Sequence, residues 1–196
     1  MRLDPGPELP VFQIPRPEVP TILSHAAVPL ALGLGLGKPV VSRRLLAAGV
    51  VASMLPDFDV VAFRLGIAYA DGLGHRGASH SLLFALVLGL LALAAAPELN
   101  SSRVKAFLFV AASAASHPLL DTLTNGGLGV ALFWPWSDAR YFAPWRVIEV
   151  SPIGLRFMSA HGLEVLRSEF LWIWLPAIAM AIGLLLARRA AKARCA

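Results

Sequence analysis

The chain has 196 residues, 57% of them hydrophobic and only 15% charged, with a mean hydropathy of +0.69. Soluble domains carry about a quarter charged residues, so the long uncharged runs exclude an ordinary soluble fold and predict one helical bundle in a bilayer. The net charge of +5 calls for no nucleic acid. Basic loops of a membrane protein give the same balance, and no Lys/Arg run is interleaved with aromatics.

Residues 1–20 read as an extended arm, with prolines at 5, 7, 10, 15, 17 and 20. It lacks the apolar core of a secretory signal, so the first apolar segment is expected to stay as an anchor. That segment, 21–36, starts near His25 and ends in Gly33, Gly35 and Gly37. A basic turn over 37–44 leads into a second apolar segment, 45–56, which Pro56-Asp57 is expected to end. The loop 57–79 carries Asp57, Asp59 and Asp71 and leads to His75-Arg76-Gly77-Ala78-Ser79-His80-Ser81.

Residues 80–96 have the clearest membrane-helix pattern of the chain. After a polar turn at 97–105, residues 106–120 form a fourth segment, in which Ala111 to Ser116 are all small enough for close helix packing. A long loop, 121–169, holds Phe133-Trp134-Pro135-Trp136, suited to a membrane interface. The last span is expected over 170–187. The predicted architecture is thus all-α, with about five transmembrane helices. An arm at 1–20 precedes a membrane domain at 21–187, and a basic cytoplasmic tail at 188–196 follows it.

Five spans put the arm and the loops 57–79 and 121–169 on one side. The two short turns and the tail then share the other side, with nine basic residues against the single acid Glu98. Positive-inside counting makes that second side cytoplasmic. His25, Asp57, Asp59, His75, His80, His117 and Asp121 all fall at span ends on the opposite side, facing the periplasm or exterior. Random placement would scatter them over both faces.

The only cysteine, Cys195, permits neither an internal disulfide nor a CxxC knuckle, so any metal must be held by His and Asp. His117 and Asp121 are four apart and share a helix face. Asp57 and Asp59 alternate, so one can bind metal while the other orients a histidine. His75 and His80 need a turn at Gly77 to point the same way. Nitrogen and oxygen donors suit zinc first, then manganese or iron, with one to three ions. Such ions activate water and clamp a phosphate. Asp57 or Asp59 is the candidate general base, and Arg76 the candidate partner of a phosphate oxygen. Asp71 and His161 read as solvated, Glu149 as a spare carboxylate, and the tryptophans as interface anchors.

The set His25, Leu55-Pro56-Asp57-x-Asp59, His75-Arg76-Gly77-x-x-His80-Ser81 and His117-x-x-x-Asp121, with Thr124 and Gly126, resembles the YdjM-like family. The likeness covers roughly residues 22–136, and Ser79 stands where that family often has Thr. It implies a multi-pass bacterial inner-membrane protein with metal-dependent hydrolase activity. The family in turn resembles zinc-dependent phospholipase C through the His117/Asp121 spacing. The expected function is metal-assisted hydrolysis of an ester, above all a phosphoester of a membrane lipid or envelope-derived substrate. The rival readings are a non-enzymatic metal-binding or sensor protein and a transporter with a polar metal path.

Overall fold

Each apolar segment folds as a helix, and their packing follows the small residues. The structure, a computed structural model, describes residues 18–19, 21–152 and 159–194. Most of the proline-rich arm and Cys195 lie outside the described residues. A 3-10 turn at Ile22–Ala26 runs into α1 (Ala27–Leu36), and α2 (Arg43–Met54) continues through a 3-10 turn at Leu55–Val60 into α3 (Val61–Arg64). A short turn at Ala78–His80 precedes α4 (Leu82–Ala94), followed by α5 (Arg103–Thr122). Last come α6 (Ala160–Glu169), a π-helical turn at Phe170–Trp174 and α7 (Leu175–Arg194). Apart from these helices, strand β1 (Glu18–Val19) pairs antiparallel with β2 (Ser151–Pro152).

Two boundaries differ from the sequence expectation. The second segment does not end at Pro56-Asp57 but runs helically from Arg43 to Arg64. Pro56 sits where the α-helix tightens into the 3-10 turn, so the helical stretch continues past it at the loss of one main-chain hydrogen bond. The long loop ends early as well. Residues 160–194 form one helical stretch of 35 residues, begun where the Ser159 side chain accepts a hydrogen bond from Gly162 N–H.

The chief packing pairs are α4 with α5, α2 with α5, and α1 with α7. One core is built largely of alanines, including Ala52, Ala85, Ala92, Ala106 and Ala114, around Leu45 and Phe109. Gly89 shows how tight the α4–α5 contact is: a Cβ there would lie 2.8 Å from the Ala111 Cβ. Small residues let backbones approach in this way when no hydrophobic drive separates lipid from protein. Ala27, Ala31, Ile148, Ile173 and Ala177 form a second core between α1 and α7.

The outside is apolar. Leu86, Leu90, Leu91, Leu108, Leu171, Ile178, Ile182 and Leu186 are all exposed, a surface that belongs in lipid rather than water. Arg43–Arg64 and Ala160–Arg194 are long and apolar enough to cross a membrane, and Ile22–Leu36 and Leu82–Ala94 are shorter apolar helices. The two short basic turns lie side by side, where the Ser42 hydroxyl donates to the Leu99 carbonyl and Arg44 donates to the Glu98 carbonyl. The other end of the bundle gathers the histidines and aspartates.

Candidate metal centre

Three structural devices deliver side chains to that end. His25 sits in the 3-10 turn that opens α1. That turn is tied to the last helix through Glu169, a buried carboxylate that accepts from Thr21 N–H (2.7 Å), Thr21 Oγ1 (2.6 Å) and Ser24 Oγ (2.7 Å). Asp57 and Asp59 share the 3-10 turn after α2 and point different ways. His117 and Asp121 lie one turn apart on α5, Nε2 to Oδ2 at 3.8 Å, with Pro118 accommodated inside the helix.

Asp57, His80, His117 and Asp121 each offer one ligand atom, and these atoms all lie within 4.8 Å of one another. All four are buried. His117 Nε2 is 3.5 Å from Asp57 Oδ1, and His80 Nε2 is 3.3 Å from Asp121 Oδ2. His25 stands against this group. Its ring stacks on His117 at 3.6 Å between centroids, and its Nε2 is 3.5 Å from Asp121 Oδ1 and 3.8 Å from Asp57 Oδ2.

The tautomers follow from the outer contacts. His117 Nδ1–H donates to the Ser53 carbonyl at 2.7 Å. His80 Nδ1–H faces Asp59 Oδ2 at 3.0 Å. In the neutral rings that a metal ion requires, both Nδ1 atoms keep their protons and both Nε2 atoms present lone pairs; the two Nε2 atoms face each other at 3.0 Å, a contact that a proton or a metal ion must fill. Two lone pairs at that distance repel unless a cation lies between or beside them. The Asp57 and Asp121 oxygens and both His25 nitrogens are likewise buried without a hydrogen-bond partner. Orphaned buried groups are costly, and a divalent cation would satisfy them together. The residues fit a metal.

Asp59 and His75 stand outside the four-residue group. Asp59 holds His75 Nδ1 with one oxygen, while its other oxygen accepts from Ser79 Oγ at 2.6 Å and Arg76 N–H at 3.1 Å. It therefore orients His80 from behind, as carboxylates do for metal-bound histidines. His75 packs edge-on to Tyr69 and to His80, 5.1 and 5.6 Å between centroids. The turn that separates the two histidines takes its strain at Arg76 (φ 59°), not at Gly77. Gly77 serves close approach instead, because a Cβ there would run into the Gly72 carbonyl.

Arg76 is fully buried, with Nε 3.2 Å from Asp121 Oδ2 and Nη1 donating to Thr124 Oγ1 and the Gly126 carbonyl. Neither Nη2 nor Nε makes a hydrogen bond, and Nε alone lies within ion-pair distance of a carboxylate. Glu149 binds Asn125 and His161 lies near Glu164, both pairs exposed. Asp71 caps its own turn by accepting from Leu73 N–H.

Sequence reasoning missed Arg140 and Glu169. Arg140 donates to the carbonyls of Tyr69, Asp71, His75 and Gly129, stitching the long loop to the histidine turn. It also lies over the Tyr69 ring, 5.6 Å from the centroid. Burial pushes the Tyr69 hydroxyl above its usual range and draws the Arg140 guanidinium below its own. No motif spacing marks either Arg140 or Glu169. The one available signal for Glu169 is a carboxylate beside an apolar run, which is costly at membrane depth and needs a partner.

A helical protein with an apolar exterior and a buried His/Asp cluster that can hold a metal ion belongs among membrane proteins. The family model described as YdjM inner membrane protein matches residues 20–193, so the chain belongs to that family. The match takes in the last helices, well past residue 136, where the readable motifs stop. Inner membrane protein YbcI of Escherichia coli (strain K12) is 47% identical over 173 residues, covering 87% of this chain and 99% of that protein. No solved structure matches. The likeness to zinc-dependent phospholipase C expected from the His117/Asp121 spacing is not shown by these matches.

Proposed function

We propose that this protein is a membrane-embedded metal-dependent hydrolase whose substrate is a phosphoester of a lipid or envelope intermediate. The observation that carries the metal is the convergence of four buried ligand atoms, from Asp57, His80, His117 and Asp121, within 4.8 Å of one another, beside carboxylate oxygens left without a hydrogen-bond partner. Asp57, His80, His117 and Asp121 hold the ion, with His25 as the fifth donor. Zinc suits this set of imidazoles and carboxylates. When bound, the ion supplies an activated water and a clamp for an ester oxygen.

The chain's own groups do the rest. Asp59 keeps the His80 Nε2 lone pair facing inward. Arg76 spends Nε on Asp121 and Nη1 on Thr124, which leaves Nη2 to meet a phosphate oxygen. Asp57 is the candidate general base, through the oxygen that the ion leaves free. Five helices cross the bilayer in this reading. The cluster then lies at the periplasmic or outer face, because the basic turns gather at the opposite end.

The complete burial of His80, His117 and Asp121 favours a second reading, a closed metal site that is structural or sensory, since catalytic sites keep an open position. The test is a metal count on detergent-purified wild type and His117→Ala, with phospholipid hydrolysis assayed before and after chelation. Bound metal lost in the variant, together with chelator-sensitive hydrolysis, is expected. Metal without hydrolysis would favour the second reading. Equally little metal in both proteins would sink both.

A further inference from the structure

At the end of the bundle remote from the cluster, a cavity of about 510 Å³ opens between the α1–α2 turn and the last turns of α7. Lys38, Arg43, Arg188 and Lys192 line it, over an apolar floor that includes Val41 and Leu46, with Leu34 at the rim. Among the described residues, none of these four cations lies within ion-pair distance of a carboxylate. Arg188 reaches across to Gly37, where a side chain would collide with its guanidinium. Arg43 opens α2 in a first turn that holds no acid, so the partial positive charge of the helix start adds to its own rather than opposing it. Four cations around one cavity repel one another until an anion enters.

We propose that this cavity binds the headgroup phosphate of an anionic glycerophospholipid, independently of the metal centre. The charge is complementary, and arginine forks match phosphate oxygens in pairs. The volume falls in the range of ordinary ligand sites. The apolar floor and the half-exposed leucine rim select an amphiphile over a free ion: Leu34 is 64% exposed and continues the cavity onto the lipid-facing surface of α1. A headgroup with net negative charge is preferred to a zwitterionic one, whose own cation would meet Lys38 or Lys192. The bound lipid would pin the α1–α2 turn to α7.

The test uses the full chain in detergent, with phosphatidylglycerol or phosphatidylcholine added and lipid adducts counted by native mass spectrometry. Wild type should retain phosphatidylglycerol on the order of tenfold better than phosphatidylcholine. Arg43→Gln/Arg188→Gln should abolish the preference with metal content unchanged. Arg44→Gln/Arg189→Gln removes the same charge outside the cavity and should keep it. Equal retention of the two lipids by wild type would overturn the proposal, as would equal loss in the two double variants. Displacement of the lipid by excess inorganic phosphate alone would mean a simple anion site and would overturn it too. If the first variant fails to fold, the wild-type comparison and the phosphate competition still decide.

Discussion

His80 and His75 lie five residues apart in one motif, yet they end in different environments. His80 turns its Nε2 to Asp121, while His75 turns its Nδ1 to Asp59 and leaves Nε2 without a partner. Asp59 is the pivot, and Asp59→Asn tests it. The amide keeps the volume but not the charge that orients both rings, so metal affinity should fall by about 10- to 100-fold. Competition against a chromophoric chelator reads this directly, and unchanged affinity would remove Asp59 from the supporting shell. Arg76 gives a second test. Arg76→Met leaves Asp121 buried without its cation, and breaking such a pair costs about 3–5 kcal/mol. A metal ion on Asp121 offsets part of that charge, so the loss of thermal stability should be larger in chelated than in metal-loaded protein.

The helices carry the cluster through a few joints. Glu169 on α6 holds the turn that presents His25, with three donors on one carboxylate. Glu169→Ala should destabilise by about 3 kcal/mol, since one buried and two half-buried donors lose their acceptor together. Because Ser24 is one of them and His25 the next residue, metal content should fall as well, which an equivalent loss of stability elsewhere would not produce. The α4–α5 contact is tested at Gly89. A leucine there must displace Ala111 and Phe107, and overpacking costs about 1–3 kcal/mol. Its mark should be a lower unfolding temperature with metal stoichiometry kept, because the contact lies away from the cluster.

In the molecule as a whole, the two ends of the bundle differ in kind. One end concentrates buried imidazoles and carboxylates, and the other concentrates cations that have no carboxylate partner among the described residues. The metal end joins both halves of the chain, since its residues come from the start of α1, the turn after α2, the turn before α4 and the end of α5. Chelation should therefore lower global stability. At free metal a thousandfold above the dissociation constant the linkage amounts to about 4 kcal/mol. A thermal melt with and without chelator measures it, and coincident melts would show that the cluster holds no ion in the folded protein.

Hydropathy and spacing by themselves determined that this chain is helical and membrane-bound, where most of its helices lie, and that His25, Asp57, Asp59, His75, His80, His117 and Asp121 gather at one end of the bundle. Burying a 20-residue apolar run in lipid is a local property of composition, and an i, i+4 pair shares a face on any helix. Only the tertiary structure decided which way each ring turns. Asp57 and Asp59 are two residues apart in one turn, and no periodicity says that one meets the cluster while the other backs the histidines. Arg140 and Glu169 were invisible for the same reason, since their partners are main-chain and hydroxyl groups far away in sequence. The opening of the last helix at Ala160 was also missed, because a capped amphipathic segment beside a loop has no apolar run to announce it. What folds locally can be read from neighbours in the chain; what orients a ligand depends on groups brought together by packing.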